Sequence, residues 1–311
     1  MTPLLTVFSA PKPFTNPHIA LIQENAINSW QQLGDDVEIL LIGEEEGLAD
    51  AARKAGVRLI SKVSRNRQGT PLVSSIFSLA SGNSSSPLLA YVNADILLTH
   101  DFVKMANAVM HQVNEFLIVG RRWDLDITAR LNFSGKWIDD LNKLIKTKAR
   151  LHPTGGSDYF IFPREIYKKI PDMAIGRAGW DNWMIYMARR SGWHVVDASL
   201  TYKVVHQQHD YAHLPGGKPH YRLPESDENV RLAGGHHAIY TLEDTNWVLV
   251  DGVLKKSPLT WKKFWREIEI CPALSLKSDF GARIMHAIFH PLRTYWEFRA
   301  RMSEFLKRSK K

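Results

Sequence analysis

The sequence predicts an α/β protein built on a mostly parallel sheet flanked by helices. Over the first hundred residues, short apolar runs alternate with amphipathic helical patterns, as strand–helix–strand units require. Glycine, proline or asparagine punctuates most of the boundaries between them. The apolar run Leu88–Val92 leads into Asn93-Ala94-Asp95, which puts a carboxylate at the end of a strand that reads as buried. Open α/β sheets bind ligands at the carboxyl ends of their strands.

Leu4 to Ser9 is a short apolar strand that stops at Ala10-Pro11-Lys12-Pro13. Asn16 and Pro17 open a helix. Ile19, Ile22, Ala26, Ile27 and Trp30 form its apolar stripe, and Gly34 ends it. Val37–Ile42 is a second strand, Glu44–Ala55 a helix closed by Gly56, and Val57–Val63 a third strand. Pro71–Ala80 reads as a helix, Leu88–Val92 as the fourth strand, Asp101–Val113 as a helix and Phe116–Gly120 as the fifth strand. Beyond it the pattern predicts a polar helix over Phe133–Thr147, a strand at Tyr159–Phe162, an apolar helix over Trp180–Arg190 and a strand at Val195–Leu200. Residues 206–237 read as a long loop carrying six of the thirteen histidines, and 258–306 as helical and aromatic.

A chain of 311 residues, 44% hydrophobic and 23% charged, has the composition of a soluble globular protein. The single cysteine, Cys271, excludes an internal disulfide framework and suits a reducing, cytoplasmic setting. The first residues lack the pattern of a signal peptide, and no run approaches the ~18 apolar residues of a membrane span. The net charge is +8. Between Pro291 and Lys311, seven basic residues (Arg293, Arg299, Arg301, Lys307, Arg308, Lys310, Lys311) face only Glu297 and Glu304. That tail favours an anionic surface. No nucleic-acid motif accompanies it, so a membrane face is the expected partner. Its aromatic residues fit ordinary core packing equally well.

No Gly-x4-Gly-Lys-Ser/Thr loop and no Gly-x-Gly-x-x-Gly fingerprint occurs, which argues against P-loop and dinucleotide-binding classes. The candidate chemistry is spread along the chain. After strand one comes Ser9-Ala10-Pro11, and after strand three the segment Arg65 to Pro71 with Gly69 and Thr70. Asn93-Ala94-Asp95 follows strand four, and Arg122 and Asp124 follow strand five. Gly155-Gly156-Ser157-Asp158, Gly179-Trp180-Asp181-Asn182-Trp183 and His206-Gln-Gln-His209 come next. Asp95 serves either as a metal ligand or as the residue that ends its strand. Asp181 is either a general base or a helix cap.

In this order the motifs resemble a GT-A-fold glycosyltransferase of the nucleotide-sugar-dependent, family-2-like bacterial glycan type. The resemblance covers about residues 4–211. It implies that Asp95 holds a divalent metal, Mn²⁺ or Mg²⁺, with His206 or His209. Histidine in the set favours Mn²⁺. By the same resemblance, Ser9, Ala10, Pro11, Arg65, Gly69, Thr70, Asn93, Ala94 and Asp95 frame a nucleoside-diphosphate sugar. Arg122, Asp124, Gly155, Gly156, Asp158, Trp180 and Asn182 are expected to line the sugar and acceptor pocket; the alternatives are a structural ion pair within residues 121–126 and a strand-end role for Asp158. Asp181, partly desolvated by Trp180 and Trp183, deprotonates a hydroxyl of a glycan or lipid-linked acceptor with inversion.

Two positions depart from the family pattern: Asn93 replaces the first metal-motif acid, and Asn182 leaves one carboxylate at the base position. The expected organisation is a domain over 1–240 (a nucleotide-binding half, 1–120, and an acceptor half, 121–240) followed by a helical, peripheral-membrane extension over 241–311. The rivals are a nucleotidyltransferase, disfavoured because Ser9–Phe14 has no glycine, and a binding protein that keeps the fold without activity. A retaining mechanism stays open.

Overall fold

The computed structural model describes residues 2–209 and 220–308, without the side chains of residues 220, 300, 301 and 303–308. In chain order the elements are β1 (Leu5–Ser9), α1 (Pro17–Gln31), β2 (Val37–Ile42), α2 (Leu48–Ala55), β3 (Arg58–Ile60), α3 (Val73–Asn83), β4 (Leu88–Val92), β5 (Ile96–Leu97) and α4 (Asp101–Met110). There follow β6 (Phe116–Val119), β7 (Arg122–Leu125), α5 (Trp137–Lys148), β8 (Arg150–Leu151), β9 (Tyr159–Pro163), α6 (Trp180–Ser191), β10 (His194–Asp197) and β11 (Val204–Gln207). The chain continues through α7 (Pro224–Ala233), β12 (Trp247–Val250), β13 (Val253–Lys256), α8 (Trp261–Leu274), α9 (Asp279–Phe289) and α10 (Pro291–Arg308).

Nine strands form the main sheet in the order β13-β12-β10-β6-β9-β4-β1-β2-β3. All run in parallel except β9 and β13, so the expected mostly parallel α/β architecture is present. Side chains alternate between two apolar layers, as the two-residue period of a strand requires. Phe8, Leu40, Ile42, Leu89, Tyr91, Phe160 and Phe162 face one layer with α3 and α6. Leu5, Val7, Leu41, Leu88, Ala90, Tyr159 and Ile161 face the other with α1, α2 and α4. A second sheet, β5-β11-β7-β8, lies over a small core of its own with Leu141 and Ile145 of α5.

The reversal of β9 positions the site. Because β9 runs antiparallel to β4, its first residue, Tyr159, pairs with the last residue of β4, Val92. The start of β9 therefore lies at the carboxyl edge of the parallel strands, beside Asn93. At that edge Gly120 follows β6, and a Cβ there would collide with the Tyr159 hydroxyl.

Several boundaries differ from the sequence reading. The helix expected from Glu44 begins at Leu48, because Gly47 adopts a left-handed φ of 80°. The helix expected from Pro71 begins at Val73, because Pro71 and Leu72 form bridges with Arg65 and Ala174. The stretch 206–237, read as loop, contains the end of β11 and all of α7, which Pro224 opens and Gly234 closes. Residues 210–219 of that stretch, with His213, lie outside the described residues. The segment after residue 240, expected to be helical, first contributes the β12–β13 hairpin to the main sheet. Its helices start at Trp261.

Candidate active site

Beyond Val92 the chain leaves the main sheet through a turn closed by the Ile96 N–H, which donates to the Asn93 carbonyl at 3.1 Å. The buried Trp30 indole donates to the Ile96 carbonyl at 2.9 Å. β5 then pairs antiparallel with β11, setting His206 opposite Ile96. The Gln207 backbone N–H and side-chain amide both donate to the Asp95 carbonyl, at 3.1 and 3.2 Å. Strand pairing thus carries two distant histidines to the end of β4.

Asp95 is buried, and three basic groups converge on its Oδ2: His209 Nε2 at 3.2 Å, Lys12 Nζ at 3.6 Å and His206 Nε2 at 3.9 Å. Its other oxygen, Oδ1, is buried without a hydrogen-bond partner among the described residues. Burial pushes the carboxyl up, but His206, His209 and Lys12 outweigh it and hold Asp95 well below the usual carboxylate range. The ligand atoms of Asp95, His206 and His209 all lie within 4.8 Å of one another. The Lys12 ammonium lies 3.0 Å from His209 Nε2, so the pocket already favours positive charge. Two imidazoles and one carboxylate, whose Oδ1 is an orphaned buried oxygen, form a donor set suited to a divalent cation such as Mn²⁺.

The parallel pairing of β7 and β11 places Asp124 beside His206, with 3.2 Å between Oδ1 and Nδ1. Asp124 also accepts from Arg122 Nε at 2.9 Å and lies 2.7 Å from His152 Nδ1. Desolvation opposes its ionisation, yet His206, His152 and Arg122 hold its carboxyl well below the normal range. Arg122 forks from Asp124 onto both oxygens of Asp158 at 2.6 Å. Asp158 in turn accepts from the Asn93 amide at 2.8 Å, and Asn93 Oδ1 accepts from the Tyr91 hydroxyl at 2.9 Å. Asn93 therefore turns a neutral amide towards Asp158, where a second carboxylate would add repulsion. Burial, with Asp95, Asp158 and Asp181 nearby, holds the Tyr91 hydroxyl protonated.

Asp181 is the second residue of α6, whose N-cap is Gly179 with a φ of 106° and no side-chain cap. Asp181 is therefore not the N-cap residue, although its carboxyl meets a backbone N–H of the first turn. Its Oδ1 is buried without a hydrogen-bond partner among the described residues. Desolvation raises its pKa to about 6, with backbone N–H groups of Asn182 and Ser157 opposing and Asp158 adding to the rise. A Cβ on Gly156 would sit 3.6 Å from Asp181 Oδ2, so the glycine segment lies against this carboxylate. Left-handed Gly179 also admits the close approach of Asn229 and Val230 of α7.

Other expected residues have different employment. Trp180 is buried among Phe77, Tyr91 and Phe160, with its ring 5.0 Å from that of Tyr91, so it belongs to the core and not to a sugar pocket. Asn182 is buried and donates to the Gly155 and Tyr240 carbonyls at 3.2 and 2.7 Å, which makes it a clamp on the glycine segment. Gly155 and Gly156 lie in the turn and loop before β9, outside the strand. Arg65 pairs with Glu45 at 2.9 Å and donates to the Gly69 carbonyl at 2.8 Å, so its charge is already balanced. Thr70 N–H donates to Asn66 Oδ1, and Asn66 reaches Glu225 of α7 at 2.6 Å. Ser9 Oγ is buried without a partner among the described residues, and Ala10, Pro11 and Lys12 follow it at the sheet edge. Gln23 fixes that loop by accepting from Lys12 N–H and donating to its carbonyl. Ala94 is buried between the two polar residues of its triplet.

Lys12, inside the expected Ser9–Phe14 loop but not singled out there, and His152 and Gln207, not anticipated from the sequence, are also members of the site. Lys12 had a signal, a lone cation between two prolines after the first strand. His152 had only its position shortly before the two glycines.

No family model and no curated protein matches the chain. Solved structures are similar to it at low identity. A mannosyltransferase from Pyrobaculum calidifontis, in complex with GDP-Man and Mn²⁺, is 15% identical over 66% of this chain and 57% of that one, with a TM-score of 0.41. TarS 1–349 of S. aureus, in complex with UDP-GlcNAc, is 12% identical over 75% of this chain and 65% of its own, with a TM-score of 0.47. Glucosyl-3-phosphoglycerate synthase from Mycobacterium tuberculosis, with Mn²⁺, UDP and glucosyl-3-phosphoglycerate, is 14% identical over 84% and 88% of the two chains, with a TM-score of 0.46. The chain thus spans less than two thirds of the first two.

Proposed function

We propose that the chain is a metal-assisted glycosyltransferase that moves a sugar from a nucleoside diphosphate to a hydroxyl acceptor with inversion. The observation that carries this reading is the pairing of two unlike carboxylates at one sheet edge. Asp95 is held ionised among two imidazoles and an ammonium, whereas Asp181 is desolvated with a pKa of about 6. Environments that push two carboxyls apart mark separate roles. Asp95, His206 and His209 would hold the divalent cation, which neutralises charge building on the departing diphosphate. Lys12 contributes a second positive charge there. Asp181 accepts the acceptor's proton, and a base with a pKa near 6 is ionised at neutral pH yet basic enough to take it. Arg122 and Asp158 order the wall between these two carboxylates. Ser9 to Lys12 and the segment 65–71 frame the donor, with α7 on the acceptor side.

In this reading the transferase unit extends through the β12–β13 hairpin, and α8 to α10 form a peripheral docking element at an anionic membrane carrying a lipid-linked acceptor. No helix among the described residues is long and apolar enough to cross a membrane. Support for surface docking comes from side chains such as Trp261, Phe280 and Leu292, which are 73%, 76% and 76% exposed.

The test is binding and slow hydrolysis of UDP-, GDP- and dTDP-sugars with Mn²⁺ or EDTA, using wild type and Asp95→Ala. The expected result is metal-dependent turnover of one donor, lost in the variant. Tight nucleotide-sugar binding with no transfer or hydrolysis would instead establish a binding protein, and no binding at all would refute the reading.

A further inference from the structure

A second group of metal-binding side chains lies in the C-terminal helices. His286 lies in the last turn of α9, His290 is the residue that caps its C-terminus, and Glu269 faces them from α8. Their ligand atoms lie within 4.8 Å of one another. Glu269 Oε1 stands 3.0 Å from His290 Nε2 and 3.4 Å from His286 Nδ1. Ligands bound at 2.0–2.1 Å around a tetrahedral zinc ion are themselves ~3.3 Å apart. The two Glu269–imidazole separations therefore match the spacing of such ligands.

Hydrogen bonding explains only part of this arrangement. His290 bonds to Glu269, but His286 is 8% exposed and neither ring nitrogen has a hydrogen-bond partner among the described residues. A buried imidazole whose polar contact is only a 3.4 Å approach to Glu269 is weakly satisfied and calls for an explanation. Glu269 Oε2 is fixed by Arg266 at 2.9 Å, an outer contact of the kind that orients ligating carboxylates. The Arg266 charge is itself met by Asp244, at 2.7 Å. His290 is partly exposed, which opens a path for an ion.

We infer that Glu269, His286 and His290 form a zinc-class site, separate from the Asp95 group, that clamps α8 to α9. Two imidazoles and a carboxylate suit Zn²⁺, with solvent completing its coordination. Bound there, the ion ties together two helices that bear half of the exposed aromatic side chains among the described residues.

The test uses tag-free, full-length protein in the Asp95→Ala background, so that the other group is disabled. Zn²⁺ titration against a chromophoric chelator should show one tightly bound ion per chain, and Co²⁺ should give the visible absorption of a tetrahedral site. Adding His290→Gln should weaken binding by about 100-fold and abolish the cobalt bands. His286→Gln should do the same, and His290→Gln keeps the test valid if burial of the first site prevents that variant from folding. Absence of tight Zn²⁺ in Asp95→Ala protein, or binding that both histidine substitutions leave unchanged, overturns the inference.

Discussion

His206 stands between two carboxylates, with Nδ1 3.2 Å from Asp124 Oδ1 and Nε2 3.9 Å from Asp95 Oδ2. The parallel β7–β11 register sets the first relationship and the antiparallel β5–β11 register the second. A carboxylate behind an imidazole fixes its ring and tautomer and raises its basicity towards a metal.

Asp124→Asn should therefore lower Mn²⁺ affinity by about 10–100-fold without removing a ligand. Isothermal titration with Mn²⁺ checks this. Asp124→Asn also leaves Arg122 paired with Asp158, so the thermal midpoint should change little compared with the fall in affinity. An unchanged Mn²⁺ affinity would assign Asp124 to a structural ion pair alone.

Asp181→Asn should cut transfer by about 10²–10⁴-fold, the usual contribution of a general base. Wild-type kcat should rise with pH through about 6 and then level off, because only the ionised carboxylate accepts a proton. The stability effect has the opposite sign. The folded state holds the Asp181 proton to a higher pH than the unfolded chain, whose carboxyl titrates near 3.8. Between those values the folded state binds more protons, so this group's contribution to stability falls as pH rises. Asp181→Asn should hence be no less stable than wild type at neutral pH. Chemical denaturation at pH 5 and 7.5, beside a pH–rate profile, measures both; a variant that is inactive because it is unstable would contradict the assignment.

Much of the sheet was legible because its strands are short apolar runs bounded by glycine and proline, and Leu88–Val92 is found where the run predicts it. The second sheet was not. β5 and β8 have two residues each, and β11 ends in His206-Gln207, too polar a sequence to read as buried strand. Asp95 and His206 were recognisable as candidates from residue type and order. The Arg122–Asp158–Asn93 chain was not, since it depends on the reversal of β9, and sequence periodicity is the same for either strand direction. Trp180 misled for a related reason: an aromatic beside a candidate base looks the same whether it faces ligand or core.

The C-terminal helices carry a prediction about location. Phe280, Ile284 and Ile288 recur every fourth residue of α9 and are all exposed, as are Trp261 and Trp265 of α8 and Leu292, Tyr295 and Trp296 of α10. Lys262 and Arg283 lie on the same helices, and the Arg299 guanidinium lies 5.4 Å from the Trp296 ring centroid. Arg301, Lys307 and Arg308 have side chains outside the described set, and Lys310 and Lys311 lie outside the described residues altogether. Exposed apolar stripes with interspersed cations suit an anionic bilayer surface, where aromatic side chains enter the interface and basic ones meet the headgroups. The full chain should co-sediment with phosphatidylserine-containing vesicles, bind phosphatidylcholine vesicles weakly, and dissociate in high salt. Phe280→Ser with Trp296→Ser should weaken binding by roughly tenfold or more, since burial of each large apolar side chain is worth about 1.5–3 kcal/mol. Donor hydrolysis should survive that double substitution. A face that instead buries itself in a stable dimer, seen by light scattering with no vesicle binding, would replace the bilayer with a second copy of the chain as its partner.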